Sequence, residues 1–311
     1  MKRDLSIDTL KGFLILLVIL GHLIGSLKFS WPGVWNLIYT FHMPLFVLIS
    51  GYLSKRDDTN IFTILKPLLV FQVLNIIILV ILGRPFSFTY FLIPHWTLWY
   101  LLSLIFWRLI LKYTPSKLIN KPYIYLGITL LAAVVVGLFL PYGRVLSIQR
   151  TISFLPFFLM GYYFRIGKIQ QKIWSNTIAI ALLVIVSLVC VLEYYPANAS
   201  VLLRGADNYT MHDLPNKIFI LGCSIICVFS IWNLKREVSW LAQIGKHSLF
   251  YYLYHGIIIE FLIVPIVEYY NIPANLPNII IYFLLIIFMI HFAMNISVFK
   301  WLVNPSLTTN K

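Results

Sequence analysis

The feature that most constrains this sequence is a succession of apolar stretches, each about as long as a helix that crosses a bilayer. A spanning helix needs about 20 predominantly apolar residues. Ten such stretches follow one another with short connections: 12–28, 34–53, 61–82, 94–112, 123–140, 150–166, 175–194, 216–233, 247–268 and 278–302. The short connections leave no room for a separate soluble domain, so residues 1–311 are predicted to form a single transmembrane domain.

The composition excludes the main alternatives to a membrane protein. Hydrophobic residues make up 60% of the chain and charged residues 11%, against roughly 45–50% and 25% in soluble domains. Too few polar side chains remain to cover a soluble globule, and a disordered chain would be much less hydrophobic. The predicted fold class is therefore all-α, a polytopic integral membrane protein with about ten transmembrane helices.

The basic residues predict how these helices are oriented. Lys and Arg accumulate on the cytoplasmic side of membrane proteins, so the excess of 24 basic over 10 acidic residues does not require a nucleic-acid partner. With both termini in the cytoplasm, 18 of the 24 basic residues fall inside and six fall outside. The six are Lys28, Arg84, Arg144, Arg150, Arg204 and Lys217. We therefore predict a multi-pass protein of the cell (cytoplasmic or inner) membrane with a cytoplasmic N-terminus and C-terminus.

Ionisable side chains inside a bilayer are costly and mark functional sites by default. His22, His42 and His255 lie on three different predicted helices. At about 1.5 Å of rise per residue they reach a similar depth, so we predict that they can meet near the bilayer midplane. The alternative for each histidine is a hydrogen-bonded packing role, which is favoured for His291. The ionisable residues within the predicted spans that we considered are His22, His42, Arg150, His255, Glu260 and His291.

Lys11 and His22 share one face of the first predicted helix. Eleven residues at 100° each return to within about 20° of the same direction. A neutral imidazole in an apolar site is a good general base, because burial disfavours its charged form. We therefore predict that His22 is the general base and that Lys11 is its associated cation. No metal site is predicted, because no carboxylate or second histidine stands at ligand spacing.

Four stretches of the chain resemble the acyltransferase 3 family of integral-membrane O-acyltransferases, especially its short members without an added domain. The resemblance lies in D-T-L-K-G at 8–12 with His22, F-H-M-P-L-F at 41–46 with S-G-Y-L at 50–53, H-W-T-L-W-Y-L at 95–101, and G-K-H-S-L at 245–249 with His255. These stretches occur in the family's order. Lys11 stands where the family usually has Arg, and lysine lacks the bidentate fork of arginine.

The resemblance implies an O-acyltransferase that moves an acyl group, most commonly acetyl, to a sugar hydroxyl. The implied donor is acyl-coenzyme A, a co-substrate rather than a tightly bound cofactor, and the implied acceptor is a cell-surface polysaccharide or its lipid-linked precursor. Direct transfer and a transient acyl-imidazole on His22 are both compatible with the sequence. The alternative function is a transporter or flippase for a small molecule or a lipid-linked glycan, although the sequence shows no inverted repeat that would favour it.

The sequence allows two alternative roles for each of three charged residues. Lys11 either binds a donor phosphate or steadies the thioester oxygen, and Asp8 either orients Lys11 or is a carboxylate favoured by the helix dipole. Arg150 either holds the acceptor or extends towards the membrane interface.

The remaining predicted substrate-binding residues lie on three different spans. Trp99 and Tyr100 either stack on a sugar face or belong to an outer aromatic belt. His255 is either a second acid or base or a structural hydrogen-bonding residue. His42 and Glu260 complete the set, and the sequence names no partner for Glu260. The identity of the acceptor, the acyl group and the oligomeric state are left open.

Overall fold

The computed structural model of the chain describes residues 4–57, 60–139, 145–192, 203 and 210–304. Helices dominate these ranges, which contain no β-strand. The helices are α1 (Leu5–Ser26), α2 (Pro32–Leu53), α3 (Phe62–Ile81), α4 (Thr89–Leu92), α5 (Trp99–Tyr113), α6 (Ser116–Ile119), α7 (Pro122–Phe139), α8 (Ile148–Arg165), α9 (Asn176–Val191), α10 (Leu214–Asn233), α11 (Ser239–Lys246), α12 (Ser248–Ile258), α13 (Val264–Tyr269), α14 (Leu276–Ala293) and α15 (Ser297–Val303).

The all-helical multi-pass architecture agrees with the prediction. Within the described ranges, seven helices are long and apolar enough to cross a membrane: Leu5–Ser26, Pro32–Leu53, Phe62–Ile81, Pro122–Phe139, Met211–Asn233, Ser248–Tyr269 and Leu276–Ala293. The other three predicted spans coincide with α5, α8 and α9, which are shorter or less apolar. The count of ten and the cytoplasmic position of the termini stay predictions. Arg144 and Arg204, two of the predicted outer basic residues, lie outside the described residues.

The chain divides into two compact units, each assembled from separate segments. Unit 1 comprises Met1–Trp31, Asn60–Leu101 and Val238–Lys311, and unit 2 comprises Pro32–Thr59 and Leu102–Glu237. The single transmembrane domain stays a prediction.

The first helix of unit 1 has a defined start. The Asp4 carboxylate accepts hydrogen bonds from the backbone N–H groups of Ser6 (2.9 Å) and Ile7 (3.3 Å), which satisfies donors that a helix N-terminus leaves without internal partners. From this cap α1 runs unbroken to Ser26 and carries both Lys11 and His22.

Glycines bring α1 and α11 into backbone contact within unit 1. A Cβ atom on Gly12 would overlap the carbonyl oxygen of Leu241, and a Cβ atom on Gly245 would overlap that of Asp8. Close approach at small residues is how helices often associate in membranes, where packing replaces the hydrophobic effect as the driving force. The Lys-Gly step of the first motif is therefore a crossing point between helices.

Unit 2 contains an equivalent crossing between α2 and α8. A Cβ atom on Gly51 would overlap the carbonyl oxygen of Phe158, and a Cβ atom on Gly161 would overlap that of Leu48. Aromatic side chains fill the surrounding core, and the fully buried Trp107 indole donates to the carbonyl of Thr151 (2.7 Å). Three of the four sequence motifs thus contribute a glycine to tight helix packing.

Irregular backbone precedes α5, where the sequence predicted a span beginning at residue 94. The helix begins at Trp99 because residues 94–98 form a turn, in which Trp96 has a φ of 21°. Gln72 of α3 supports this turn, since its Oε1 accepts from the backbone N–H of His95 (2.9 Å) and its Nε2 donates to the carbonyl of Ile93 (3.3 Å).

The helix that follows α11 is also irregular. Between α12 and α13 the backbone widens into a π-helical turn at Ile259–Ile263. Such turns occur frequently at functional sites, and this one contains Glu260.

Candidate active site

The histidines of α1 and α12 are in direct contact inside unit 1. His22 Nδ1 lies 2.9 Å from His255 Nε2, and the two rings stack with their centroids 5.1 Å apart. His255 is fully buried, whereas His22 is partly exposed. The structure thus brings together two of the three histidines that the sequence placed at a similar depth.

The hydrogen bonds of this pair define which nitrogen atoms carry protons. His255 Nδ1 lies 3.0 Å from the carbonyl oxygen of Tyr251, which can only accept, so Nδ1 is protonated. A neutral His255 then accepts at Nε2, and His22 must donate from Nδ1. The lone pair of His22 is therefore on Nε2. We call the hydrogen-bonded chain of the Tyr251 carbonyl, His255 and His22 the histidine relay. It fixes the tautomer of His22, as the carboxylate of a catalytic triad fixes that of its histidine.

The turn before α5 packs against the histidine relay. The ring of Trp96 lies 4.8 Å from that of His22 and 6.5 Å from that of His255, between centroids. The hydroxyl of Tyr252 donates to the carbonyl of Thr97, which ties the turn to α12. The sequence motif at 95–101 pointed to this stretch but not to Trp96, whose role depends on the turn geometry.

Trp99 and Tyr100 are buried, with exposed fractions of 8% and 6%. The Tyr100 ring packs edge-on against Tyr252, 5.5 Å between centroids. The Tyr100 ring therefore supports α12, and the Trp99 ring packs edge-on against Tyr100, 6.1 Å between centroids. The aromatic side chain beside the histidines is Trp96.

Lys11 and Asp8 form an ion pair on α1. Lys11 Nζ lies 2.8 Å from Asp8 Oδ1, and the exposed fractions of the two side chains are 16% and 5%. Because α1 is unbroken, Lys11 and His22 are separated by roughly 16 Å along the helix axis, which is longer than a lysine side chain. Lys11 is not among the residues that line the cavity described below, and its two predicted roles stay predictions.

A large cavity in unit 1 is lined by Tyr251, the residue whose carbonyl holds His255, while His22 and His255 themselves are not among its lining residues. It has a volume of about 1300 Å³, and its lining includes Lys66, Lys246 and Lys300. No carboxylate occurs among the described residues that line it. His291, which the sequence favoured as a packing residue, lies on the cavity wall.

Two predicted site residues belong to unit 2. His42 is buried, its Nδ1 lies 2.6 Å from the carbonyl oxygen of Ile38 and its ring packs edge-on against Tyr39. These contacts within α2 are those of a packing residue. Arg150 lies in the first turn of α8.

Glu260 has a partner that the sequence did not identify. Its Oε1 lies 3.4 Å from Nε2 of His95, which follows Pro94 in the turn before α5. In the part of the chain that the structure describes, no group of three or more His, Cys, Asp or Glu side chains is arranged to hold a metal ion.

Comparison with known proteins supports the assignment of an enzyme family. Residues 4–298 match the family described as "Acyltransferase domain". The chain is 52% identical over 60 residues to nodulation protein NolL of Mesorhizobium japonicum and 45% identical over 60 residues to that of Sinorhizobium fredii. Each alignment covers 17% of this chain and 16% of the relative. No solved structure matches the chain.

The family match covers nearly the whole chain and includes all four motifs, the histidine relay and the lining of the cavity up to Asn295. The apolar helices of the described residues give the protein its multi-pass membrane character. The chain belongs to the acyltransferase 3 family.

Proposed function

We propose that the protein transfers an acyl group, most commonly acetyl, from acyl-coenzyme A to a sugar hydroxyl of a cell-surface polysaccharide or its lipid-linked precursor. The observation that carries this proposal is the histidine relay together with a large basic cavity that Tyr251, the backbone partner of His255, helps to line. The relay presents a lone pair on His22, and the cavity provides cationic groups for a phosphorylated donor.

The cavity suits the shape and charge of coenzyme A. Lysine ammonium groups attract phosphates, and Lys66, Lys246 and Lys300 supply them along the lining. The walls between them include the apolar and aromatic side chains of Leu249 and Phe250. In the proposed complex the phosphates lie among the lysines and the flexible pantetheine arm extends towards Tyr251 and the histidine relay.

His22 Nε2 supplies the general base that a poor nucleophile needs. It accepts the proton of the sugar hydroxyl while the hydroxyl oxygen bonds to the thioester carbonyl carbon. The carbon–sulfur bond then breaks, and the proton on Nε2 passes to the departing thiolate, which gives the O-acyl sugar and coenzyme A. An acyl-imidazole intermediate would use the same lone pair of His22.

The distribution of basic residues supports an orientation in the cell membrane. With both termini in the cytoplasm, the lysines of the cavity face the compartment that contains acyl-coenzyme A. The sugar acceptor then approaches the histidine relay from the opposite side. The lipid bilayer surrounds the protein. The two proposed substrates are acyl-coenzyme A and a glycan.

The experiment replaces His22 and measures transfer in membranes. The His22→Ala variant is expected to lose roughly 10²- to 10⁴-fold of the rate, the usual contribution of a general base. The assay follows radiolabel from acetyl-coenzyme A into the surface polysaccharide of the cell that produces the protein. Mild alkali first removes the O-acyl esters that this polysaccharide already carries. His212→Ala is the matched control, because His212 is exposed in a short turn of unit 2. Full transfer by His22→Ala, or glycan flux without a donor, would contradict the proposal.

A further inference from the structure

A carboxylate–imidazole pair lies beyond the histidine relay in unit 1. Glu260 is about five residues, or roughly 7 Å along the axis, past His255 on the same apolar span. It pairs with His95, whose chain neighbour Trp96 contacts both relay histidines. The pair is therefore linked to the relay through the neighbouring Trp96, and neither of its members lines the cavity of the lysines.

The backbone is irregular on both sides of this pair. Glu260 is in the π-helical turn near the middle of the 22-residue span Ser248–Tyr269. His95 is in the non-helical turn that packs against α1 and α12 at that depth. Non-helical backbone at membrane depth is tolerated where it is buried in protein or lines a polar cavity. Two such irregularities at one place indicate a site that receives a polar molecule.

The carboxylate of Glu260 has unused hydrogen-bonding capacity. Its Oε1 contacts His95, whereas its Oε2 is buried and has no hydrogen-bond partner among the described residues. A carboxylate oxygen without a donor is unfavourable out of water. About a third of the side chain is nevertheless exposed, although Oε2 itself is not, so a hydroxyl group reaches Oε2 once the carboxylate turns about its last side-chain bond.

We propose that Glu260 and His95 bind the acceptor as an uncharged sugar ring with neighbouring hydroxyl groups. This inference rests on the proposed function. One hydroxyl donates to Glu260 Oε2, while an adjacent hydroxyl is directed towards His22 Nε2 for acylation. His95 holds the carboxylate in place from the other side.

The charge of the site selects the class of sugar. A uronic acid or a phosphate-bearing ring would place a second negative charge beside the Glu260 carboxylate, and like charges at this distance repel strongly away from bulk water. A neutral hexose or an N-acylated hexosamine avoids this repulsion. The acceptor residue is therefore a neutral sugar, even where the rest of the polysaccharide is anionic.

The test separates acceptor binding from donor binding. Transfer of labelled acetyl from acetyl-coenzyme A to the alkali-treated host polysaccharide gives the KM for the acceptor. Stabilisation of the detergent-solubilised protein against heat by coenzyme A reports the donor side. Glu260→Gln is expected to raise the acceptor KM roughly tenfold, as the loss of a hydrogen bond to a charged group would, and to leave the stabilisation by coenzyme A unchanged.

Two further variants and a product analysis complete the experiment. His95→Asn is expected to shift the acceptor KM in the same direction, and Glu268→Gln, on an exposed residue of α13, is expected to change neither readout. Mass analysis of the hydrolysed product is expected to place the acyl group on a neutral sugar. An unchanged acceptor KM in both site variants, or an acylated uronic acid, would overturn this inference, whereas absence of transfer by the unsubstituted protein would overturn the proposed function instead.

Discussion

The two units use the same device to bring helices together and put different side chains around it. In unit 1, α1 and α11 cross at Gly12 and Gly245; in unit 2, α2 and α8 cross at Gly51 and Gly161. The unit 1 crossing lies in the first half of α1, which carries His22, and in α11, which leads into the α12 helix of His255. The unit 2 crossing is surrounded by aromatic side chains such as Phe158 and Phe164, which are fully buried.

The contrast is sharpest for one histidine in each unit. His255 in unit 1 and His42 in unit 2 are both fully buried, and Nδ1 of each hydrogen-bonds to the carbonyl four residues earlier. His255 also contacts His22 through Nε2, whereas the ring of His42 packs against Tyr39. The same helical histidine conformation thus serves a relay in one unit and packing in the other. Burial alone does not distinguish the two roles; the second histidine in contact with His255 does.

The largest expected difference between the units comes from replacing these two histidines. His255→Ala removes the acceptor of the His22 Nδ1–H bond, so we expect the acyl-transfer rate to fall roughly 10²-fold or more. His42→Ala is expected to lower the stability of the protein and to change the rate per folded molecule less than about tenfold, because a packing residue acts through the fold. The comparison uses transfer rates divided by the amount of folded protein. Size-exclusion chromatography in detergent measures that amount. Equal losses in both variants would contradict the assignment of roles.

The glycine crossings give an intermediate effect that again differs between the units. Gly245→Ala and Gly161→Ala both force backbones apart, and each is expected to lower stability by about 1–3 kcal/mol or more. Gly245→Ala is also expected to reduce transfer per folded molecule, since α11 carries Lys246 and leads directly into the helix of His255.

Thermal unfolding in detergent and the transfer assay measure the two effects of these glycine variants. Gly127→Ala in α7 is the matched control, because a Cβ atom there meets nothing within 4 Å. An equal reduction of transfer by Gly161→Ala would show that the crossing of unit 1 has no special link to the site.

The smallest expected effect concerns the lysines of the cavity. Lys66→Ala and Lys300→Ala are each expected to raise the KM for acetyl-coenzyme A roughly two- to fivefold, the usual size of an exposed charge–charge contact. The effect should shrink as salt is added, since screening weakens exposed ionic contacts. Lys117→Ala in unit 2 is the control, because Lys117 is exposed and lies outside the cavity lining. A rise in the KM for the acceptor instead of the KM for acetyl-coenzyme A would show that the cavity binds the acceptor and not the donor.

Much of the helical framework could be predicted from hydropathy, because helices in a bilayer satisfy their own backbone and leave long apolar runs. The pairing of Lys11 with Asp8 follows from their spacing on one helix. The contact of His22 with His255 was permitted by their depths, although depth does not specify which helices are neighbours. The sequence also proposed His42 for that meeting, and its described contacts are within α2.

The remaining parts of the site depend on irregular backbone and on packing between distant segments. The turn that presents His95 and Trp96 begins where a continuous span was predicted, and hydropathy does not register a turn of apolar and aromatic residues. The π-helical turn at Glu260 leaves no mark on the apolar pattern. The cavity arises where residues around Lys66, Lys246 and Lys300 converge, which no local pattern encodes.

The central claim is that His22 and His255 act as one relay, and a double-mutant cycle tests it most directly. Acetyl-transfer rates are measured for His22→Ala, His255→Ala and the double variant, each normalised to folded protein. Because residues of one catalytic unit have strongly non-additive effects, the double variant is expected to be no slower than His22→Ala alone. Losses that multiply in the double variant would show that the two histidines act independently and would contradict the relay.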